Sequence, residues 1–129
     1  MSNTTNQINK LDFNTPMAYN GIVFSETPIF TRLITGLMDD DNYSKLQTEL
    51  VRNPDKGVLI VGGGGIRKIR WGLDKRRGKR GGVRIIYYYK DSKGQILMLF
   101  AYPKNVADNL TDIQIKQLGR KAKEFNNEK

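Results

Sequence analysis

Apolar residues recur with a helical period in two stretches of the first half of the chain, which predicts two helices. The first begins at Pro28, with Ser25 or Thr27 as its capping residue, because proline suits the first position of a helix. The acidic run 39–41 suits the N-terminus of the second helix, where carboxylates meet the positive end of the helix dipole. Asn53, which precedes a proline, predicts the end of that helix.

Strand-like patterns precede the first helix and fill most of the chain after the second. Runs rich in β-branched and aromatic residues predict strands over 22–24, 58–61, 66–71, 83–90 and 96–102. The turn chemistry of 91–94 joins the last two strands, so the later strands form an antiparallel meander. Thr111 and Gln114 form a capping box that begins a last helix, which continues to Asn127. The order predicts an α+β fold: an antiparallel (mixed) central sheet of four to five strands, with two N-terminal helices and one C-terminal helix.

The length of 129 residues fits one domain. Residues 1–20 are polar, rich in Asn and without a clear period, which predicts a loose tail in front of a domain spanning 21–129. No apolar run is long enough to cross a bilayer, and the first twenty residues lack the apolar segment of a signal peptide. We therefore expect a soluble, cytoplasmic protein with no membrane partner.

Cysteine and histidine are both absent, which excludes disulfides, thiol chemistry, the usual zinc sites and catalysis by histidine. The acidic run 39–41 lacks the spacing of a calcium loop, so helix capping explains it better than metal binding. The four glycines 62–65 do not belong to a phosphate loop of the Walker type and indicate a connection between strands. The sequence thus predicts neither a metal nor a cofactor.

The positive charge is concentrated in one segment. The chain carries a net charge of +9, and residues 67–84 hold nine Lys and Arg against one Asp. Such a patch attracts polyanions, so nucleic acid is the first partner to consider. Lys68 and Arg70 point to one face of a predicted strand, about 7 Å apart, and Arg84 lies inside the next strand. Like charges inside a sheet cost free energy, which indicates an anionic ligand for these three.

The remaining cations of the segment lie mostly in the glycine-rich connection 72–82 and are expected to contact nucleic-acid phosphates. They are Arg67, Lys75, Arg76, Arg77, Lys79 and Arg80.

Several motifs in order carry a family resemblance. They are Asn53-Pro54, the segment Gly64–Arg70, the segment Gly78–Tyr88, the segment Tyr102–Asn105, and Leu110-Thr111. Over roughly residues 21–125 the chain resembles the RelE superfamily of bacterial toxins, and most closely its HigB-type branch. The resemblance implies an α+β protein that enters the ribosomal A site, cleaves messenger RNA and is held inactive by a cognate antitoxin protein.

The resemblance also implies a site. It places two active-site cations on Lys68 and Arg70, a third on Arg84 and another basic residue on Lys104. Some relatives use a tyrosine in the C-terminal helix for proton transfer, but residues 111–127 contain no Tyr or His. Tyr88 and Tyr102 are the substitutes that this chain offers, whereas Tyr87 and Tyr89 are expected in the core.

The expected reaction is metal-independent: the RNA supplies its own nucleophile, a 2′-OH that attacks the adjacent phosphate. Lys68 is the candidate base that accepts the proton of this 2′-OH. Three other functions stay open. The chain could be a non-catalytic RNA- or DNA-binding module, a ParE-type toxin that poisons DNA gyrase, or a degenerate homologue that only binds an antitoxin. The cations inside the strands favour RNA cleavage over gyrase poisoning.

Overall fold

The structure, a computed structural model, describes residues 18–19, 21–72, 82–104 and 109–128. Its elements are β1 (Ala18–Tyr19), β2 (Ile22–Glu26), α1 (Pro28–Leu37), α2 (Asp40–Arg52), β3 (Val58–Leu59), β4 (Arg67–Trp71), β5 (Val83–Lys90), β6 (Gln95–Pro103) and α3 (Asp112–Asn127). The fold is α+β, as the sequence predicts.

The described strands form one sheet in the order β1-β2-β6-β5-β4-β3. β2 and β6 run parallel and every other pair is antiparallel, so β4, β5 and β6 form the predicted meander. The sheet has six strands where the sequence predicts four to five, because Ala18–Tyr19 of the predicted tail pair with β2. The first 17 residues of that tail lie outside the described part of the chain.

Helices cover the sheet on both faces. α1 and α2 pack on one face, over a core that includes Phe24, Phe30, Leu46, Ile85 and Met98. α3 packs on the other, over a second core that includes Ile66, Ile86, Leu99, Ala122 and Phe125. We call these the α1/α2 face and the α3 face. No helix in the described ranges is long and apolar enough to span a bilayer.

Side-chain caps fix the start of each helix. Thr27, not Ser25, caps α1: its Oγ1 accepts the Phe30 N–H at 3.2 Å. Asp39 caps α2 by accepting the Asn42 N–H at 2.8 Å, which confirms the capping role predicted for the acidic run. α3 begins with the predicted capping box. Each cap satisfies backbone donors that the first turn of a helix leaves without partners.

A bulge in β6 decides which of its side chains face α3. Ile86 pairs with Phe100 and Tyr87 pairs with Met98, so Leu99 is an extra residue on β6. Leu99 and Phe100 therefore both belong to the core under α3, and the alternation before the bulge is opposite to that after it. The Thr27 hydroxyl donates to the Leu99 carbonyl at 2.9 Å, which ties the cap of α1 to this bulge.

Tyr87 joins the sheet to the loop that follows α2. Its hydroxyl donates to the Pro54 carbonyl and accepts the Gly57 N–H, both at 2.8 Å, and the residue is fully buried. Burial raises the pKa of the Tyr87 hydroxyl, with the hydrogen bond from Gly57 acting in the opposite direction. The side chain thus packs in the α1/α2 core, as predicted, and also holds two backbone groups.

Replacing Tyr87 with phenylalanine is expected to lower the free energy of unfolding by about 1–3 kcal/mol, because two backbone groups lose their partner. Urea denaturation followed by circular dichroism measures the change. Tyr89→Phe is the matched control, since Tyr89 is only half-buried, and it should shift stability by less than about 0.5 kcal/mol. Equal losses in both variants would contradict this role for the Tyr87 hydroxyl.

Candidate nucleic-acid interface

Three predicted site residues form a row across the three central strands. Arg70 of β4 lies directly opposite Arg84 of β5, and Arg84 lies directly opposite Tyr102 of β6. Side chains in such positions share a face, with Cβ atoms about 4.5–5.5 Å apart. Lys68 lies two residues along β4 from Arg70 and so shares the same face. We call Lys68, Arg70 and Arg84 the cationic cluster.

The side chains of the cationic cluster differ in their exposure to solvent. Arg84, in the middle of the row, is 5% exposed, and Tyr102 beside it is 6% exposed. Lys68 is half-buried and Arg70 is exposed. Arg84 thus belongs to the floor of the site, whereas Arg70 is open to a ligand arriving from solvent.

The floor next to the cations is apolar. Ile86 lies opposite Lys68 on one side and Phe100 on the other. The rings of Phe100 and Tyr102 are tilted by 38°, with centroids 6.0 Å apart. Apolar neighbours lower the local dielectric constant and so strengthen the attraction between a cation and a bound anion. Half-buried Phe100 also offers an aromatic surface on which a base could stack.

The N-terminus of α3 lies at the cluster. The Lys68 Nζ donates to the Asn109 Oδ1 at 3.3 Å, and Asn109 lies two residues before Thr111, the cap of α3. The positive end of this 16-residue helix adds to the attraction for anions. Asn109 is a site residue that the sequence patterns do not reveal, because nothing local indicates that it contacts a strand 41 residues earlier.

The ion pairs within the described ranges lie away from the cluster. They join Lys45 to Asp41, Lys56 to Glu49 and Lys121 to Glu124. In that part of the chain no carboxylate forms an ion pair with Lys68 or Arg70. Among the described residues, the exposed side of the site therefore consists of cations that attract an incoming anion.

The other predicted site residues differ in their placement. Lys104 is exposed just beyond β6, and its N–H donates to the Gly82 carbonyl at 3.2 Å, which places it at the same end of the sheet as Arg84. Tyr88 shares the α3 face but lies four residues along β5 from Arg84, about 13 Å away. The structure therefore brings Tyr102, rather than Tyr88, to the cationic cluster.

Arg67 faces away from the cluster. It pairs with Tyr87 on the α1/α2 face, and its Nη1 donates to the carbonyls of Asp55 and Gly57 at 3.0 and 2.8 Å. These hydrogen bonds attach Arg67 to the loop that follows α2. The cations predicted for the connection, Lys75, Arg76, Arg77, Lys79 and Arg80, lie outside the described residues.

A site of this kind can bind a phosphate. Two guanidinium groups from adjacent strands can each hold phosphate oxygens, and the amine of Lys68 and the hydroxyl of Tyr102 are polar groups beside them on the same face. A comparison of the sequence with models of known protein families finds none that matches.

Proposed function

We propose that this protein is a ribosome-dependent endoribonuclease, the toxin of a type II toxin–antitoxin system, that cleaves messenger RNA in the ribosomal A site. The pairing of Arg70 with Arg84, with Lys68 on the same face, is the observation that carries the proposal. Half-buried Lys68 and exposed Arg70 form no ion pair with a carboxylate of the described ranges, so their charge favours a phosphodiester bound beside them. The resemblance to RelE-type toxins supplies the substrate and the cellular setting, which is the bacterial cytoplasm.

The reaction that suits these groups uses the RNA as its own nucleophile. The 2′-oxygen attacks the adjacent phosphorus as the bond from phosphorus to the 5′-oxygen breaks, leaving a 2′,3′-cyclic phosphate and a 5′-hydroxyl. In its neutral form the Lys68 amine accepts the proton of the 2′-OH, and the Tyr102 hydroxyl donates a proton to the departing 5′-oxygen. Arg70 and Arg84 bind the non-bridging oxygens, where negative charge increases in the transition state.

The different exposure of Arg84 and Arg70 indicates different roles in the proposed reaction. Buried Arg84 is held in place by the sheet, so it is preorganised to receive charge without rearrangement. Exposed Arg70 contacts the substrate from the solvent side. The hydrogen bond from Lys68 to Asn109 orients the amine toward the N-terminus of α3.

The ribosome contributes what the protein lacks. The chain has no histidine, so its acid and base groups are weaker catalysts at neutral pH than those of an ordinary ribonuclease. We infer that the ribosome presents the messenger RNA with its 2′-OH aligned for attack, which supplies the positional part of catalysis. The net charge of +9 favours association with ribosomal RNA.

The same charge favours an acidic partner protein. A segment rich in Asp and Glu that covers Arg70 would block access to the cluster and fix its own position by charge complementarity. The cognate antitoxin of the proposed system would supply such a segment.

Cleavage of a defined message on programmed ribosomes tests the proposal. We expect breaks confined to the A-site codon, with 5′ ends that polynucleotide kinase labels without prior dephosphorylation, and none on the same message without ribosomes. Binding to ribosomes with no breaks would instead indicate a non-catalytic module. Inhibition of gyrase supercoiling without RNA cleavage would indicate a ParE-type poison.

A further inference from the structure

A second concentration of positive charge lies on the α3 face, apart from the cationic cluster. The loop 62–64 and α3 enclose an open cleft of about 480 Å³. Three cations of α3 line it, Lys116, Arg120 and Lys123, and Tyr88 of β5 lines it from the sheet. Neither the family resemblance nor the proposed reaction uses the three helix cations.

Glycines allow this cleft to form with backbone in its wall. A Cβ atom at Gly119 of α3 would lie 2.7 Å from the Gly63 carbonyl oxygen, so helix and loop approach closely only because Gly119 has no side chain. Gly62 and Gly64 have φ of 80° and 70°, which residues with side chains rarely adopt. The wall opposite α3 is therefore peptide backbone, in which the Gly63 carbonyl lies against Gly119 and the Gly63 N–H donates to the Ile60 carbonyl at 3.0 Å. The attraction for an anion thus comes from the three helix cations.

The three cations lie on one side of the helix. Their spacing of four and then three residues places them on consecutive turns, and all three are exposed. The ion pair of α3, between Lys121 and Glu124, does not include them, and no other described ion pair does. Like charges at this spacing disfavour the helix slightly, so a bound anion would stabilise it.

The cleft and the cationic cluster lie on the same face of the sheet. Tyr88 lies about 13 Å along β5 from Arg84, a distance that a short stretch of extended single-stranded RNA can span. Lysine and arginine side chains bind phosphates without reading the bases, and the ring of Tyr88 offers a stacking surface.

We propose that the cleft is a second phosphate-binding site, which holds the backbone of single-stranded RNA a few nucleotides from the scissile bond. This inference rests on the proposed function, because the proposed cleavage at the cationic cluster determines the path of the RNA from the cluster to the cleft. The binding itself does not require cleavage. Three anchored phosphates would keep the substrate strand extended across the α3 face while Arg70 and Arg84 hold the phosphate that reacts.

Fluorescence anisotropy with a labelled single-stranded oligonucleotide tests this, with 2′-deoxy sugars throughout so that no cleavage can occur. The variant K116A/R120A/K123A removes the three cleft cations. The control R32A/R52A/K93A removes the same charge from exposed positions on α1, at the end of α2 and in the 91–94 turn. Both variants should keep the urea midpoint of the wild type, because all six side chains are exposed.

We expect the cleft variant to bind at least about tenfold more weakly and to lower the slope of log Kd against log salt by about 2, or about 0.7 for each phosphate that the protein no longer neutralises. The control should change affinity less than about threefold, with its slope unchanged. Equal losses in the two variants would show that only net charge matters and would overturn the proposal.

An acidic peptide distinguishes the other class of ligand. If poly-glutamate binds in a manner that depends on the cleft cations while the oligonucleotide does not, the cleft receives a protein segment and our proposal is wrong. The second site and the nuclease activity can fail separately. Cleavage with cleft-independent binding overturns only the second site, whereas cleft-dependent binding without cleavage on ribosomes overturns only the nuclease.

Discussion

Replacing Arg70 with alanine is expected to slow cleavage of ribosome-bound messenger RNA by about 10²–10³-fold, the usual loss when one hydrogen-bond donor to a developing negative charge is removed. Arg70 is the informative position because it is exposed, while its partner across the strands, Arg84, is 5% exposed. Loss of Arg84 would change the packing of the sheet together with the chemistry. Loss of Arg70 should change the free energy of unfolding by less than about 0.5 kcal/mol.

The measurement is the single-turnover rate of A-site cleavage on programmed ribosomes with the protein in excess, together with a urea denaturation curve. Arg52→Ala is the matched control: it removes the same charge from an exposed site at the end of α2, on the opposite face of the sheet, and should cleave at the wild-type rate. Arg70→Lys should fall between the two, because lysine keeps the charge without the two-pronged contact. A wild-type rate in Arg70→Ala would remove Arg70 from the site.

Much of the fold follows from local sequence signals. The β-branched and aromatic run of residues 83–90 predicts the bounds of β5. Apolar residues on both faces of this strand are typical of a position inside the sheet. The caps at Thr27, Asp39 and Thr111 are also local, since each involves only residues of the first helical turn. Alternation places Lys68 and Arg70 on one face, as observed.

The alignment of Arg70, Arg84 and Tyr102 across β4, β5 and β6, in contrast, depends on contacts between strands that no local sequence pattern predicts. Strict alternation along β6 would put Tyr102 on the same face as Met98, under α1 and α2. The extra residue Leu99 reverses the alternation, so Tyr102 joins Arg84 on the α3 face. Arg70 lies opposite Arg84 only because β4 and β5 pair in one particular register. The sequence of the 72–82 connection does not determine that register.

The cleft is hidden from the sequence for a related reason. Its helix cations are visible there as a spacing of four and three residues, but the same spacing occurs on any solvated helix face. The approach of Gly119 to Gly63 is what converts that face into a cleft wall. The glycine run does connect two strands, as predicted, but its packing against α3 depends on tertiary structure.

Replacing Gly82 with alanine is expected to lower the free energy of unfolding by about 2–5 kcal/mol, which is a large share of the stability of a small domain. Gly82 precedes β5 with φ of 62°, and a Cβ atom there would lie 2.0 Å from the Trp71 carbonyl oxygen. The clash is with backbone of the neighbouring strand, so a rotamer change cannot relieve it. The first two residues of β5 would have to move away from β4, which would separate Arg84 from Arg70.

Gly21→Ala separates the two causes of that loss. Gly21 also has positive φ, 86°, but a Cβ atom there meets nothing within 4 Å. Its replacement should therefore cost only the left-handed conformation, about 1–2 kcal/mol. Urea denaturation of both variants gives the difference, which we assign to the contact with Trp71. If the two variants lose the same stability, the close approach of β4 to the start of β5 is not what holds the arginine pair together.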